Sequence, residues 1–364
     1  MEFIKVKDIC DIKTGKYDAN HSKEDGKYKF FTCALLPMKA DTYSFDGKLV
    51  MLPGNGANLG EVMYYEGKIE AYQRTYVLHN INIEAKFLYY FLKLNWKKYI
   101  LRRQIGSATN YMKLEDILNF EVPNISLDMQ KKIIDILDGA QRLIDKRKKQ
   151  IEELDLLVKS KFIEMFGEVD DYVPLSKYIN SLTAGKSLAG ETECVNKVLN
   201  TGSISYDFFD KTQVKNLPKD YLPKEEHLVN KGDVLISRMN TAELVGATAY
   251  VWNVNDNTYI PDRLWKANFN DNINPIFVWQ LLIQNRTKEK IRRIASGTSG
   301  SMKNISKTNL LNIEVIYVDI CKQNQFADFV KQVDKLKFEM EKSLKELENN
   351  FNSLMNKAFK GELF

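Results

Sequence analysis

The stretch LDMQKKIIDILDGAQRLIDKRKKQIEELDLLVKSKFIEMF, residues 127–166, is echoed far downstream by CKQNQFADFVKQVDKLKFEMEKSLKELENNFNSLMNKAFKGE, residues 321–362. Sliding one copy onto the other by 193 positions places Leu118, Asn119, Glu121, Val122, Gln130, Leu154 and Phe166 on Leu311, Asn312, Glu314, Val315, Gln323, Leu347 and Phe359. An internal repeat sets the architecture before any other signal. Within the first copy, steps of four and three pick out Ile133, Leu137, Ala140, Ile144, Arg147, Ile151, Leu154, Val158, Lys161 and Met165, eight of ten apolar. The second copy gives Phe326, Val330, Val333, Lys337, Met340, Leu344, Leu347, Phe351, Leu354 and Ala358, nine of ten apolar in the same register. That is the period of a coiled-coil seam. A helix of this length spans roughly 60 Å, too long to pack along one small domain, so each copy is expected to be a spacer, a seam or both.

The chain has 364 residues, 44% apolar and 28% charged, enough for two ordinary globular domains beside the helices. Its net charge of +5, from 53 Lys and Arg against 48 Asp and Glu, is too mild to identify a nucleic-acid binder, so the placement of the charges must carry that claim. Cys10, Cys33, Cys194 and Cys321 show no C-x-x-C spacing, which suggests neither a zinc ribbon nor a disulfide framework and fits a reducing cytoplasm. The N-terminus MEFIKVKDIC has no secretory pattern, and no apolar run is long enough to span a membrane.

Ahead of the first long helix, short apolar segments (FIKVKDICDI, KLVMLPG, EVMYYEG, RTYVLHNI) alternate with Gly, Asn and Asp turns, predicting strands. AKFLYYFLKLNWKKYILRRQI, residues 85–105, predicts a helix. GSATNYMK follows as a polar loop, and LEDILNFEVPNI as a short strand ending at Pro123. The second half repeats this plan. VKDICDIKTGK (6–16) answers LSKYINSLTAGK (175–186), DGKLVMLPG answers KGDVLISRM, and GANLGEVMYY answers AELVGATAYV. A helix over 275–294 and a Gly/Ser/Thr loop ending in Met-Lys (297–303) match those of the first half. The loops differ in detail, and loops are where recognition is usually placed.

No catalytic signature survives inspection. AGKS (184–187) has Asn180 where a phosphate-cradling loop needs glycine, and GNGANLG (54–60) lacks the strand-to-helix context of a dinucleotide fingerprint. His21, His79 and His227 have no partners at metal spacing. Pro261-Asp262 lacks the further acidic and lysine positions of a nuclease, and no consecutive prolines occur, which excludes the Pro-Pro signature of an amino-methyltransferase.

The run GSATNYMKLEDILNFEVPNISLDMQKKIIDILDGAQRLIDKRKKQIEEL resembles the passage in DNA-specificity subunits of type I restriction-modification systems from a Gly-Ser loop, through a short strand near proline, into a helix with an early Gln. The second copy, SGTSGSMKNISKTNLLNIEVIYVDICKQNQFADFV, follows it, with Tyr317-Val318 where a proline is more usual. The resemblance covers both halves. It implies an α+β fold with two mixed α/β target-recognition domains, separated and joined by two long helices that form an antiparallel coiled coil, in a pseudo-twofold repeat. The expected bounds are 1–126 and 169–319 for the recognition domains and 127–168 and 320–364 for the coiled-coil arms. It further implies a cytoplasmic, nucleoid-associated bacterial or archaeal subunit, acting in host defence through DNA methylation and restriction. This chain would bind no cofactor and catalyse nothing by itself. Its partners would be double-stranded DNA with a bipartite site, two modification (adenine methyltransferase) subunits and restriction motor-nuclease subunits, with S-adenosylmethionine, ATP and magnesium on those partners.

On that footing each domain grips one half-site and helix length sets the spacer. Lys and Arg supply sequence-blind phosphate contacts, while side chains at base edges supply the choice. The expected DNA-binding residues of the first domain are Lys13, Lys16, Tyr17, Asn55, Asn58, Gln73, Arg74, Asn110, Tyr111 and Lys113. Those of the second are Lys186, Ser187, Arg238, Asn240, Thr241, Arg263, Thr298, Ser299, Ser301 and Lys303. The seam rests on Ile133, Leu137, Ile144, Ile151, Leu154, Val158, Phe326, Val330, Met340, Leu344, Leu347 and Phe351. Tyr89, Tyr90, Phe91, Trp96, Phe277 and Trp279 would suit base stacking, but their helical spacing predicts core. The run DKRKKQ (145–150) is expected to face solvent rather than the DNA backbone. Two rivals are a coiled-coil adaptor whose domains bind proteins, and a specificity subunit for a fused methyltransferase-nuclease of type II kind. A salt titration discriminates against the first, since a DNA reader's affinity would fall steeply with ionic strength and with changes in one sequence, and co-purification would separate the second.

Overall fold

A computed structural model of the chain describes residues 2–103, 110–297 and 302–363. Contacts divide the chain into two units, Met1–Lys149 with Glu341–Phe364 and Gln150–Met340. The cut falls inside both long helices. Each unit therefore joins one globular half of the sequence to one half of each helix.

In the first unit a four-stranded antiparallel sheet orders Asp11–Thr14, Thr75–His79, Lys48–Pro53 and Met63–Glu66, and a three-stranded sheet orders Met38–Ala40, Tyr28–Phe31 and Ile69–Ala71. The strand Lys48–Pro53 is buried on both faces, because Leu49 and Met51 join a small core with Phe31, Ile69 and Val77, while Val50 and Leu52 join a larger one. This explains the uninterrupted apolar run where a one-sided strand would alternate. The larger core is closed by helix α1 (Ala85–Leu101), whose Phe87, Leu88, Tyr90, Phe91 and Trp96 are buried. Tyr90, Phe91 and Trp96 are thus core, as their spacing predicts. The stretch expected as one short strand instead forms helix α2 (Leu114–Leu118) and then strand Glu121–Pro123, which pairs with Phe3–Lys5. The Asp116 carboxylate accepts from the Lys113 N–H at 2.9 Å and starts that extra turn.

Helix α3 (Leu127–Phe166) follows. In the first unit its Ile133, Leu137 and Ile144 pack with Phe351, Met355 and Ala358 near the far end of the last helix, and Lys148 pairs with Glu348 at 3.1 Å.

The second unit repeats the topology. Its four-stranded sheet orders Ile179–Ala184, Leu264–Phe269, Val234–Ser237 and Thr248–Tyr250, and its three-stranded sheet orders Val214–Asn216, Lys197–Leu199 and Thr258–Tyr259. A register shift between Ile179 and Ser181 absorbs the extra residue by which 175–186 outruns 6–16. The helix expected over 275–294 is two helices, α4 (Pro275–Ile283) and α5 (Asn285–Arg293), because Gln284 is extended at φ −63°, ψ 137°. The apolar α4 is buried nearly all round, whereas α5 buries only Thr287 and Ile291; the break separates two helices with different burial needs. Helix α6 (Lys307–Leu311) answers α2, strand Glu314–Ile316 pairs with Tyr172–Pro174, and helix α7 (Ile320–Lys360) completes the chain.

Within this unit the helix pair is antiparallel: Lys337 bonds Asp155 at 2.6 Å, and toward the other end Phe326 meets Phe162 and Phe166 at 5.4 and 5.5 Å between ring centres. Leu154, Val158, Phe326 and Val330 are buried at the seam, while Ile151, Met340, Leu344 and Leu347 are half-buried in their units. At the end of α3, Phe162 and Phe166 are the buried residues, with Met165 packed against their core and Lys161 half-buried. There the helix must meet α4 as well as α7, and Phe166 stands 5.4 Å from Phe277. Tyr317-Val318 leaves the helix start unchanged. Asp319 opens α7 as Ser126 opens α3, with the Lys322 and Met129 N–H groups donating to their side chains.

Candidate DNA-reading sites in the two domains

In the first domain the strand Asp11–Thr14 ends at Gly15, where a Cβ would stand 1.7 Å from the Ala71 carbonyl oxygen. Only glycine permits that approach. It lays Lys16 and Tyr17 beside the turn 72–74, and the Gln73 N–H donates to the Tyr17 carbonyl at 2.9 Å. On the neighbouring strand end the Gly54 N–H donates to the Arg74 carbonyl at 2.8 Å, and Met112 N–H to the Gly54 carbonyl at 3.1 Å. Asn55 pairs with Tyr111. A cavity of about 320 Å³ opens here, lined by Asn55, Gln73, Arg74 and Tyr111 with Thr14, Gly54, Tyr76 and Met112. Burial, with the Asp116 charge adding to it, raises the Tyr76 phenol above its ordinary value, so it lines the cavity as a neutral group.

Four of the ten expected residues thus converge on one cavity, and Lys16 and Tyr17 follow Gly15 beside its Gln73, with the Tyr17 ring stacked on His21. The other four do not line it. Lys13 alternates to the opposite face of its strand from Thr14. The Asn58 side chain donates to the Cys33 carbonyl at 2.8 Å, whereas Asn110 and Lys113 are held by their backbones, the Asn110 carbonyl accepting from Gly56 N–H at 2.9 Å and Lys113 standing at the N-cap position of α2. A larger cavity of about 790 Å³, near the end of α1, holds Lys5, Lys98, Arg102 and Arg103 but none of the expected residues.

The second domain builds the same frame. A Cβ on Gly185 would stand 1.8 Å from the Ile260 carbonyl oxygen. Lys186 and the hydroxyl of Ser187 follow, and Ser187 is hydrogen-bonded to Asp262. The Arg238 N–H donates to the Arg263 carbonyl at 3.1 Å, and Ile305 N–H to the Arg238 carbonyl at 2.9 Å. Asn240 pairs with Lys303, whose ammonium donates to the Gly297 carbonyl at 2.7 Å. The Thr241 carbonyl accepts from Val245 N–H at 2.9 Å, tying it into a turn. Thr298, Ser299 and Ser301 lie outside the described residues. The Met-Lys ending shared by the two loops does not align them: Met112 occupies the place of Ile305 and Tyr111 that of Asn304, the 193-position offset of the long repeat. Applied to Tyr111, that offset would have found Asn304, which the sequence reading missed.

Two α+β domains, each seated on a helix pair and each presenting a lysine and an arginine around one strand-end frame, define a duplicated module with unlike fittings. The chain belongs to the family described as the type I restriction modification DNA specificity domain, which it matches over residues 1–155 and 186–349. It is 35% identical over 156 residues to the EcoDI specificity subunit of Escherichia coli, covering 43% of this chain and 34% of that one. To the E. coli K12 EcoKI specificity subunit it is 22% identical over 309 residues, covering 77% and 66%. The chain thus spans about a third of the EcoDI protein's length. Its fold matches the type I system S subunit of M. genitalium with a TM-score of 0.58 at 17% identity, over 98% of this chain and 96% of that one. A chain from a structure on assembly and conformational transition of the type I R-M system matches with a TM-score of 0.56 at 15% identity, over 100% and 98%. No helix among the described residues is long and apolar enough to cross a membrane.

Proposed function

We propose that this chain is the non-catalytic DNA-reading subunit of a type I restriction-modification complex, acting in the cytoplasm. Each domain reads one half of a bipartite, asymmetric site, and the helix pair acts as spacer and docking scaffold. The observation that carries this is the basic strand-end frame built twice, Lys16 with Arg74 and Lys186 with Arg263, all exposed, in a chain of this family. Two adenine methyltransferase subunits and the motor-nuclease subunits are the partners, and S-adenosylmethionine, ATP and magnesium belong to them. The outer faces of the helices favour docking. Leu143 is exposed on the first unit, as are Leu156, Leu157, Ile163, Leu336 and Phe338 on the second, on helices that a purely solvated rod would cover with polar groups.

Titrating salt against duplex binding by the chain with its modification subunits tests the reading. The logarithm of affinity should fall linearly with that of salt, by about 0.9 per phosphate contacted. Base changes in either half of one split site should each cost about 1–3 kcal/mol. Salt-insensitive or sequence-blind binding would favour a protein-binding adaptor.

A further inference from the structure

The two domains carry the same frame with different side chains, and the comparison separates what grips DNA from what reads it. Gly15-Lys16 and Gly185-Lys186 stand at equivalent places, fixed by the carbonyls of Ala71 and Ile260. Arg74 and Arg263 are equivalent because each carbonyl accepts from the opposite strand end, Gly54 N–H in one domain and Arg238 N–H in the other. The lysine and the arginine are thus common to both. The residues at 54 and 238 are not.

Gly54 cannot bear a side chain as built, since a Cβ would lie 2.4 Å from the Arg74 carbonyl oxygen, and the cavity beside it stays open. In the second domain that place belongs to Arg238. Its guanidinium lies 5.6 Å over the ring of Trp265, the counterpart of Tyr76, and its Nε donates to Asn304 Oδ1 at 3.5 Å, on the counterpart of Tyr111. Among the described residues its two terminal nitrogens make no hydrogen bond. Stacked on one side and held at Nε, they form an unoccupied fork, the geometry that matches the O6 and N7 acceptors of guanine. Residues shared by domains that read different half-sites suit contacts with phosphate, which is the same in every sequence. A residue that differs suits contacts with bases.

We propose that Arg238 is the guanine-reading residue of the second domain, oriented by Asn304 as a positioning residue. Lys16 with Arg74, and Lys186 with Arg263, are the sequence-blind phosphate grips of the two half-sites. The proposal rests on the DNA-reading function above and assigns roles within it.

The test uses the chain assembled with its modification subunits and duplexes carrying every single-base substitution of the site that methylation profiling assigns to the wild type. Arg238→Gly should cut discrimination at one G·C pair of one half-site roughly ten- to a hundred-fold and leave the other half-site's profile intact. Arg238→Lys should retain part of it, as a point charge on the same acceptors. Asn304→Ala, which keeps the guanidinium, should loosen discrimination at that same pair and no other, a change that a merely structural role would not produce. Arg74→Ala and Arg263→Ala should weaken binding to all sequences alike and lower the salt slope by about one each. Uniform weakening by Arg238→Gly, an unchanged profile with Asn304→Ala, or a changed base preference with Arg74→Ala or Arg263→Ala would overturn the assignment. A wild-type complex without sequence preference would instead overturn the function itself.

Discussion

At the scale of single residues, Gln130 is the joint between reader and helix in the first unit. Its Oε1 accepts from the Glu84 N–H at 2.9 Å and its Nε2 donates to the Ile125 carbonyl at 2.9 Å, with 3% of the residue exposed. Gln323 repeats the joint, accepting from Asn274 N–H at 3.0 Å and donating to Val318 at 2.8 Å, with 1% exposed. Each ties the start of a domain helix to the start of a long helix. Gln130→Ala and Gln323→Ala should each destabilise by about 1–3 kcal/mol, since a buried donor and acceptor are left unmet, a loss measurable by denaturant unfolding. The 193-position repeat singles out this pair, because it carries one glutamine onto the other. Arg238 and Gly54 were not legible as counterparts, since their equivalence is defined by backbone hydrogen bonds that no shared residue type announces. The aromatic helices illustrate the opposite case: Tyr90 donates to Asp138 on α3 at 2.6 Å, a contact helical spacing could place in the core but not assign.

At the scale of elements, the seam was readable because heptad spacing survives in the sequence, and it fails only where the surroundings change. Phe166 is buried among Phe162, Phe277 and Phe326 in the second unit, while its repeat mate Phe359 lies 5.5 Å from Phe87 in the first. Phe166→Ala should cost about 3–5 kcal/mol, seen as a lower midpoint of thermal unfolding, and Phe359→Ala less, because Phe359 is only partly buried. Leu154 belongs to the core of the second unit and Leu347 packs on that of the first, so the pair Leu154→Asp and Leu347→Asp places one charge in each unit's helix packing. That double variant should lose helix pairing and subunit assembly together in size-exclusion chromatography. The strands buried on both faces, such as Lys48–Pro53, were found as strands by their apolar run. The second small sheet they also cover was missed, because an apolar run does not say how many layers cover it.

At the scale of the whole molecule, the repeat makes each unit from one domain and two half-helices, and α3 and α7 each contribute to both units. The proposed function makes those helices the ruler between half-sites. Inserting seven residues after Lys149 and seven after Met340 preserves the heptad register and lengthens each helix by about 10 Å, or roughly three base pairs of duplex. Methylation profiling of DNA exposed to the assembled complex carrying this paired insertion is the most direct measurement. The two half-site sequences should be unchanged and the preferred spacer longer by about three base pairs. An unaltered spacer, or altered half-sites, would contradict the role of the paired helices as the ruler.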